Sequence, residues 1–280
     1  MPSLLAPAGV LLLAATVLMW VTLLWAGVAL VLLSGDPAVV HSQTQVAASP
    51  AQVVYVAGFS VFTLGVGDFV AASDTWRLFT AAMSCAGLAL ITLAITYLIS
   101  VVSAVVDRRA LAVHVQGLGR SPSDIVVRGW DGSAFSPPFQ QHLVSLTGRV
   151  STLAEQHLAY PVLQYFHTGQ RAVAAPVALA RLDDALLLLS SAVSPPARPA
   201  ASATEPLRYA VERHLVTGPG TARADDAGPT PGAPGLEPLA DAGIPLVPAA
   251  HYADAVARAR PRRAALLRFV IASGWSWDDG

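Results

Sequence analysis

The chain has 280 residues, 54% of them apolar and 12% charged, with a formal net charge of −1 and no lysine. Bulk charge therefore gives no argument for a nucleic-acid partner, and the apolar excess puts membrane segments first. One cysteine, Cys85, excludes a disulfide framework within the chain and a multi-thiol metal site.

Residues 8–34 carry no charge, and at ~1.5 Å rise per residue they exceed the ~30 Å of a bilayer core. The first predicted element is a spanning helix. A secretory signal would need a basic start and a shorter apolar core, and neither is present. Gly35, Asp36 and Pro37 end the helix with turn chemistry. Residues 51–62, AQVVYVAGFSVF, are too short to cross, but they fit a re-entrant helix with Ser49 as its cap and Pro50 in its first turn. The C-terminal end of such a helix carries partial negative charge and favours a cation. Thr63-Leu64-Gly65-Val66-Gly67-Asp68 follows. Its alternating glycines permit the dihedrals that turn successive carbonyls to one axis, and four such loops would replace a cation's hydration shell. A second apolar run, Trp76 to Val106, is capped by Ser73 and Asp74 and closed by Asp107, Arg108 and Arg109. Arg108, Arg109, Arg120 and Arg128 follow this run, whereas Asp36, Asp68 and Asp74 lie between the two. The excess of arginine places the C-terminal region, and with two spans the N-terminus also, in the cytoplasm of a multi-pass cell-membrane protein.

FTLGVGDF resembles the selectivity-filter signature of potassium channels, T-V-G-Y-G-D, through Thr63, Gly65, Gly67 and Asp68 as identities and Leu64 as a conservative change. The order of span, short apolar helix, filter and span resembles the two-span, one-pore-loop bacterial channels of the ion-channel family that includes two-pore-domain channels. The resemblance covers residues 10–106. It implies that the Thr63 hydroxyl and the carbonyls of Thr63, Leu64, Gly65 and Val66 line potassium sites. It also implies that Gly65 and Gly67 allow the backbone geometry, that Asp68 braces the filter, and that Gly87 is a hinge in the inner helix. Thr92, Ile95, Thr96, Ile99 and Ser103 would face a cavity. Two departures stand out: Val66 where an aromatic is usual, and Phe59 where the pore helix often has glutamate. One pore loop per chain implies a homotetramer. The resemblance implies potassium as the permeant ion, with a weakly selective cation channel as the alternative because of Val66; no cofactor is expected.

Beyond residue 107 the sequence changes character. Residues 115–138 read as loop-rich. Phe139, Leu143, Leu146, Val150, Leu153 and His157 recur at steps of four and three, giving one stripe of an amphipathic helix. Leu179, Leu182, Leu186 and Leu189 make a second stripe. The predicted fold class is thus an all-α membrane protein: a pore domain over 1–107 with two transmembrane helices, a re-entrant pore helix and a filter loop, then a cytoplasmic helical region. That region divides into a helical domain over 108–193 that contributes to assembly, a Pro/Ala/Gly-rich disordered linker over 194–238, and a C-terminal segment over 239–280, helical from 248 to 273 and interrupted at Pro261.

Gly117-Leu118-Gly119 lacks the third glycine and the strand–helix alternation of a dinucleotide fold. No cyclic-nucleotide-binding barrel is visible, and no span is rich in arginine as a voltage sensor would be. No hydrolase, metalloprotease or P-loop motif occurs, so the chain does not read as an enzyme. His157, Tyr160, Tyr165 and His167 form a candidate pH or metal sensor, although His157 also continues the apolar stripe. Asp183-Asp184 reads as a solvated helix edge. Arg258, Arg260, Arg262, Arg263 and Arg268, with Trp275 and Trp277, fit equally an interfacial helix on an anionic leaflet or a helix packed on the cytoplasmic domain. The partner of this region, whether a ligand or a protein, is open at this stage. A non-conducting, membrane-anchored signalling protein is the reading from another functional class.

Overall fold

The computed structural model describes residues 8–35, 37–166, 168–217 and 231–277. Asp36 of the predicted turn, His167 of the histidine–tyrosine cluster and residues 218–230 of the predicted linker lie outside the described residues. The chain divides into two compact units, Val10–Ser100 and, for the most part, Val101 onward.

In the first unit, α1 spans Ala8–Leu33 and is apolar all round. Its two threonine hydroxyls are satisfied within the helix: Thr16 and Thr22 donate to the carbonyls of Leu12 and Leu18 four residues back, each at 2.8 Å. Strand β1, Val39–His41, pairs antiparallel with β2, Phe69–Ala71, in the register Val39↔Ala71, Val40↔Val70 and His41↔Phe69. The sequence reading missed this ribbon because each strand has three residues, below the length at which alternation can be read. Helix α2, Pro50–Val61, starts where predicted. The side chain of Gln52 accepts the Ser49 amide at 2.8 Å and closes the first turn. Val28, Ala29 and Leu32 of α1 pack on Val53, Val56, Ala57 and Val61 of α2 to form the core of this unit. The Trp25 indole N–H donates to the Val54 carbonyl at 3.0 Å.

Helix α3 runs unbroken from Asp74 to Leu118, 45 residues. It therefore does not stop at Asp107-Arg108-Arg109 as expected. Past the apolar run its buried positions, Leu111, Ala112 and Val115, recur at helical spacing and join the core of the second unit. α1 and α3 are both long and apolar enough to cross a membrane.

The region read as loop-rich contains a helix, α4, Pro122–Gly129. Ser121 caps it by accepting the Asp124 amide at 3.1 Å, and the Asp124 carboxylate reaches back to the Arg120 amide at 2.8 Å. α5, Pro137–Ala159, carries the predicted stripe, with all six of its residues buried. α6, Ala175–Leu187, continues through a π-helical turn over Leu188–Ala192. Almost every α6 residue is buried, because α4, α7 (Ala201–Thr217) and α9 (Ala249–Ala272) surround it. A five-residue helix, α8, spans Glu237–Asp241.

Three expectations are corrected here. Residues 201–217 of the supposed linker form α7, which packs along α5 through Leu207, Ala210 and Val211. Pro206 and, in α9, Pro261 do not interrupt their helices. Both face solvent, as do Ser202 and Ala257 four residues before them, so water can serve the carbonyl that each proline leaves without a donor. Asp183 and Asp184 do not lie on a solvated edge; they are 0% and 2% exposed. Arg263 forks onto Asp184 (Nε–Oδ1 2.7 Å, Nη2–Oδ2 3.0 Å), and Arg262 reaches Asp183 through Nε at 3.0 Å. Burial pushes the Asp183 carboxyl up to about 6 against the pull of the Arg262 guanidinium. These pairs decide between the two readings of the arginine-rich helix in favour of packing: Arg263 is fully buried, and Trp275 and Trp277 lie against the core.

Candidate functional site

The turn between α2 and β2 carries the unusual geometry of the first unit. α2 ends in a Schellman motif: the Leu64 amide donates to Phe59 O at 2.9 Å and the Thr63 amide to Ser60 O at 3.3 Å. The motif requires a left-handed residue after the cap, a place usually held by glycine. Here it is Thr63, at φ +56°. Gly65 and Gly67 follow at +62° and +84°, whereas Leu64 and Val66 are not left-handed. Such alternation turns successive peptide groups the same way and lines up their polar atoms on one side.

Among the described residues, no backbone or side-chain donor reaches the carbonyls of Thr63, Leu64, Gly65, Val66 or Gly67. Five consecutive carbonyl oxygens are thus without a donor among the described residues. A methyl group at Gly65 or Gly67 would meet nothing within 4 Å, so glycine is needed at both for its backbone conformation and not for space.

The segment is held at both ends. Beyond it, the Asp68 carbonyl accepts the Ser42 amide at 2.9 Å, and the Asp68 carboxylate accepts the Phe69 amide at 3.0 Å. The ribbon then pins the exit of the loop to residues 38–41. The carboxylate also faces the phenol of Tyr55 on α2, a neighbour that sequence reasoning did not single out. The signal was available, since a tyrosine eight residues before Thr63 lies on the same helix as Phe59, against which it stacks edge-on at 5.3 Å. At the entrance, the Ser84 hydroxyl of α3 donates to Ser60 O at 2.8 Å. One turn further along, a methyl group at Gly87 would stand 2.1 Å from the Val61 carbonyl oxygen. α3 is continuous at Gly87, and the glycine lets α3 approach the end of α2. Thr92, Ile95, Thr96, Ile99 and Ser103 are all exposed on the isolated chain.

In the second unit the described part of the histidine–tyrosine cluster forms no metal centre: no group of three or more His, Cys, Asp or Glu side chains suited to a metal occurs among the described residues. His157 is buried in the α5 stripe, with its ring 5.9 Å from that of His214 on α7. Burial, reinforced by His157 and Arg108, pushes His214 down to about 3, and burial lowers His157 as well.

The sequence profile of a family described as "ion channel" matches residues 8–104. The uncharacterized membrane protein YdjJ of Bacillus subtilis (strain 168) is 32% identical over 273 residues, covering 98% of this chain and 80% of that protein. The similarity therefore runs through both units. No solved structure matches the chain.

Proposed function

The chain belongs to this ion channel family, and from that premise we propose that it is the pore subunit of a homotetrameric potassium channel of the cell membrane, with residues 63–68 as its selectivity filter. The observation that carries this reading is the run of five carbonyls without a donor in the chain, set by left-handed backbone at Thr63, Gly65 and Gly67. Four copies around one axis would stack these oxygens into rings. The Thr63 hydroxyl would line the innermost ring, and the Schellman end of α2 would aim its remaining partial negative charge at the same point. Asp68, with Tyr55 and the ribbon, would brace the outer end. Gly87 would combine close packing with a hinge. Both termini would be cytoplasmic. Nothing in this reading calls for chemical catalysis or a cofactor.

A weakly selective cation channel is the second reading, and Val66 is what favours it. Val66 is 54% exposed, and its side chain offers no hydroxyl to tie the filter to α2. Liposomes containing the purified protein decide between the two when potassium and sodium fluxes are measured side by side. Potassium-selective flux that disappears in Gly65→Ala is the expected result, because a left-handed alanine costs ~1–2 kcal/mol and the backbone would relax. Equal fluxes of both ions would establish the second reading. Absence of flux in both proteins would overturn both and favour a signalling role.

A further inference from the structure

Helix α5 runs back toward the apolar part of α3. Near its start the ring of His142 meets that of His114 at 5.6 Å, and near its end the Gln156 side-chain amide donates to the Asp107 carboxylate at 2.7 Å. Asp107 is the first charged residue after the apolar run of α3. The C-terminal end of α5 is therefore level with the edge of the bilayer that α3 would cross. The turn after it, Pro161–Tyr165, is tied to the same level twice. The Arg108 guanidinium donates to the Leu163 carbonyl at 2.7 Å. Phe166 lies so close to Gly9, in the first turn of α1, that a methyl group on the glycine would stand 2.6 Å from its ring. Gly9, like Asp107 and Arg108, belongs to the second compact unit, so all of these contacts lie within it.

α7 lies beside α5 and points the same way. The Ala200 amide, just before α7, donates to Gln140 at 3.0 Å, Arg213 reaches Glu155 at 3.5 Å, and the rings of His214 and His157 are 5.9 Å apart. Both helices thus end at the level of Asp107. One residue past His157 and two past His214, Leu158 and Val216 are 50% and 74% exposed, and Tyr165 on the turn is 46% exposed. A single exposed apolar side chain needs no explanation, but several at one end of a folded unit mark a contact surface.

We propose that this end of the second unit, through Leu158, Tyr165 and Val216, inserts into the headgroup–acyl boundary of the leaflet beside it. The inference rests on α1 and α3 spanning the bilayer, the premise of the channel reading. Lipid is the occupant because the surface continues directly from the ends of two apolar helices. Tyrosine suits that depth, where its ring is in apolar surroundings and its hydroxyl is wet. The Glu155–Arg213 pair, with both side chains more than half exposed, lies less than one turn back and marks where water begins. Membrane contact is thus assigned to the α5–α7 end and not to the arginine-rich α9. Because Asp107 and Arg108 hold this end, its depth is set by the span itself.

The test places single cysteines carrying an environment-sensitive fluorophore in the full chain, in a Cys85→Ala background. The protein is put in bilayer nanodiscs whose lipids carry a nitroxide quencher either near the headgroup or at the end of the acyl chain. Leu158→Cys and Val216→Cys are expected to lose most of their emission to the shallow quencher. Gln141→Cys, exposed near the other end of α5, should keep its emission with both quenchers. Leu23→Cys, near the middle of α1 at a position 62% exposed, reports on the span and should respond to the deep quencher. Quenching of Leu23→Cys with none at Leu158→Cys and Val216→Cys would overturn this inference and leave the span standing. A blue-shifted but unquenched signal at those two positions would also overturn it and assign the surface to a neighbouring chain. Lack of quenching at Leu23→Cys would overturn the spanning premise, and the inference with it.

Discussion

Thr63 stands at φ +56°, a conformation that costs an L-residue ~1–2 kcal/mol and suits β-branched residues least. The two glycines after it advertise their backbone in the sequence, and the reading from residue types found them. It could not find the strain at Thr63, because threonine in a turn has no such marker; only the Schellman bonds of α2 show it. In the proposed pore its hydroxyl would have a use that glycine cannot supply. Thr63→Gly should raise the thermal unfolding midpoint of the purified protein by the equivalent of about 1 kcal/mol while reducing potassium flux in liposomes. A lower midpoint would show that the turn is not strained. His214 is a second residue whose neighbourhood makes a measurable demand. Its proton affinity falls from the ordinary 6.5 to about 3 on folding, so between these pH values the unfolded chain binds more protons than the folded one. Its contribution to stability is complete above about pH 6.5 and is lost as pH falls toward 3. Asp183, raised to about 6, acts in the opposite sense over its own window and is common to any pair of proteins compared at the two pH values. Melting at pH 7.5 and 5.0 should show a smaller acid-induced drop for His214→Phe than for the wild type; an equal drop would assign the acid sensitivity elsewhere.

α6 shows why an element can be read correctly while its surroundings are not. Its leucine stripe identified the helix, but a stripe on one face implies polar exposure on the other, and that inference placed Asp183 and Asp184 in water. Their partners lie on α9, 79 positions away for both Asp183–Arg262 and Asp184–Arg263, and no local pattern links them. The same limit hid α7, whose apolar positions Ala203, Leu207, Ala210 and Val211 are set among prolines that composition alone assigns to a linker. Where the elements rested on local signals, as with the caps of α2 and the stripe of α5, sequence and structure agree. The Asp184–Arg263 pair is the tie between α6 and α9 that energetics can probe. Asp184→Asn leaves a fully buried guanidinium without its carboxylate and should destabilise the protein by roughly 3–5 kcal/mol. Asp184→Leu combined with Arg263→Met removes both charges and should recover most of that loss, as read from thermal unfolding midpoints. A double variant no more stable than the single one would mean that the Arg263 bonds to Pro231 and Gly232 carbonyls, at 3.1 Å and 2.6 Å, matter more than the ion pair.

An isolated chain leaves the candidate pore unfinished. Leu64 and Val66 are 67% and 54% exposed, and the α3 positions from Thr92 to Ser103 expected to face a cavity are uncovered. Lipid could cover the apolar side chains, but it offers no donor or cation to five carbonyls without a donor, and polar backbone left bare in hydrocarbon costs several kcal/mol per group. Only surfaces that bring these oxygens to a shared, water- or ion-filled axis resolve the cost, and closed cyclic symmetry is the arrangement that treats every copy alike. Four copies are the number for which one loop per chain makes rings of four oxygens. Native mass measurement of the protein released from membranes in mild detergent should therefore give four chains per particle. Gly65→Ala should keep that mass, because a methyl group at Gly65 meets nothing within 4 Å in the chain. A monomeric or dimeric particle that still passed potassium would refute the fourfold pore and require the carbonyls to be satisfied in another way.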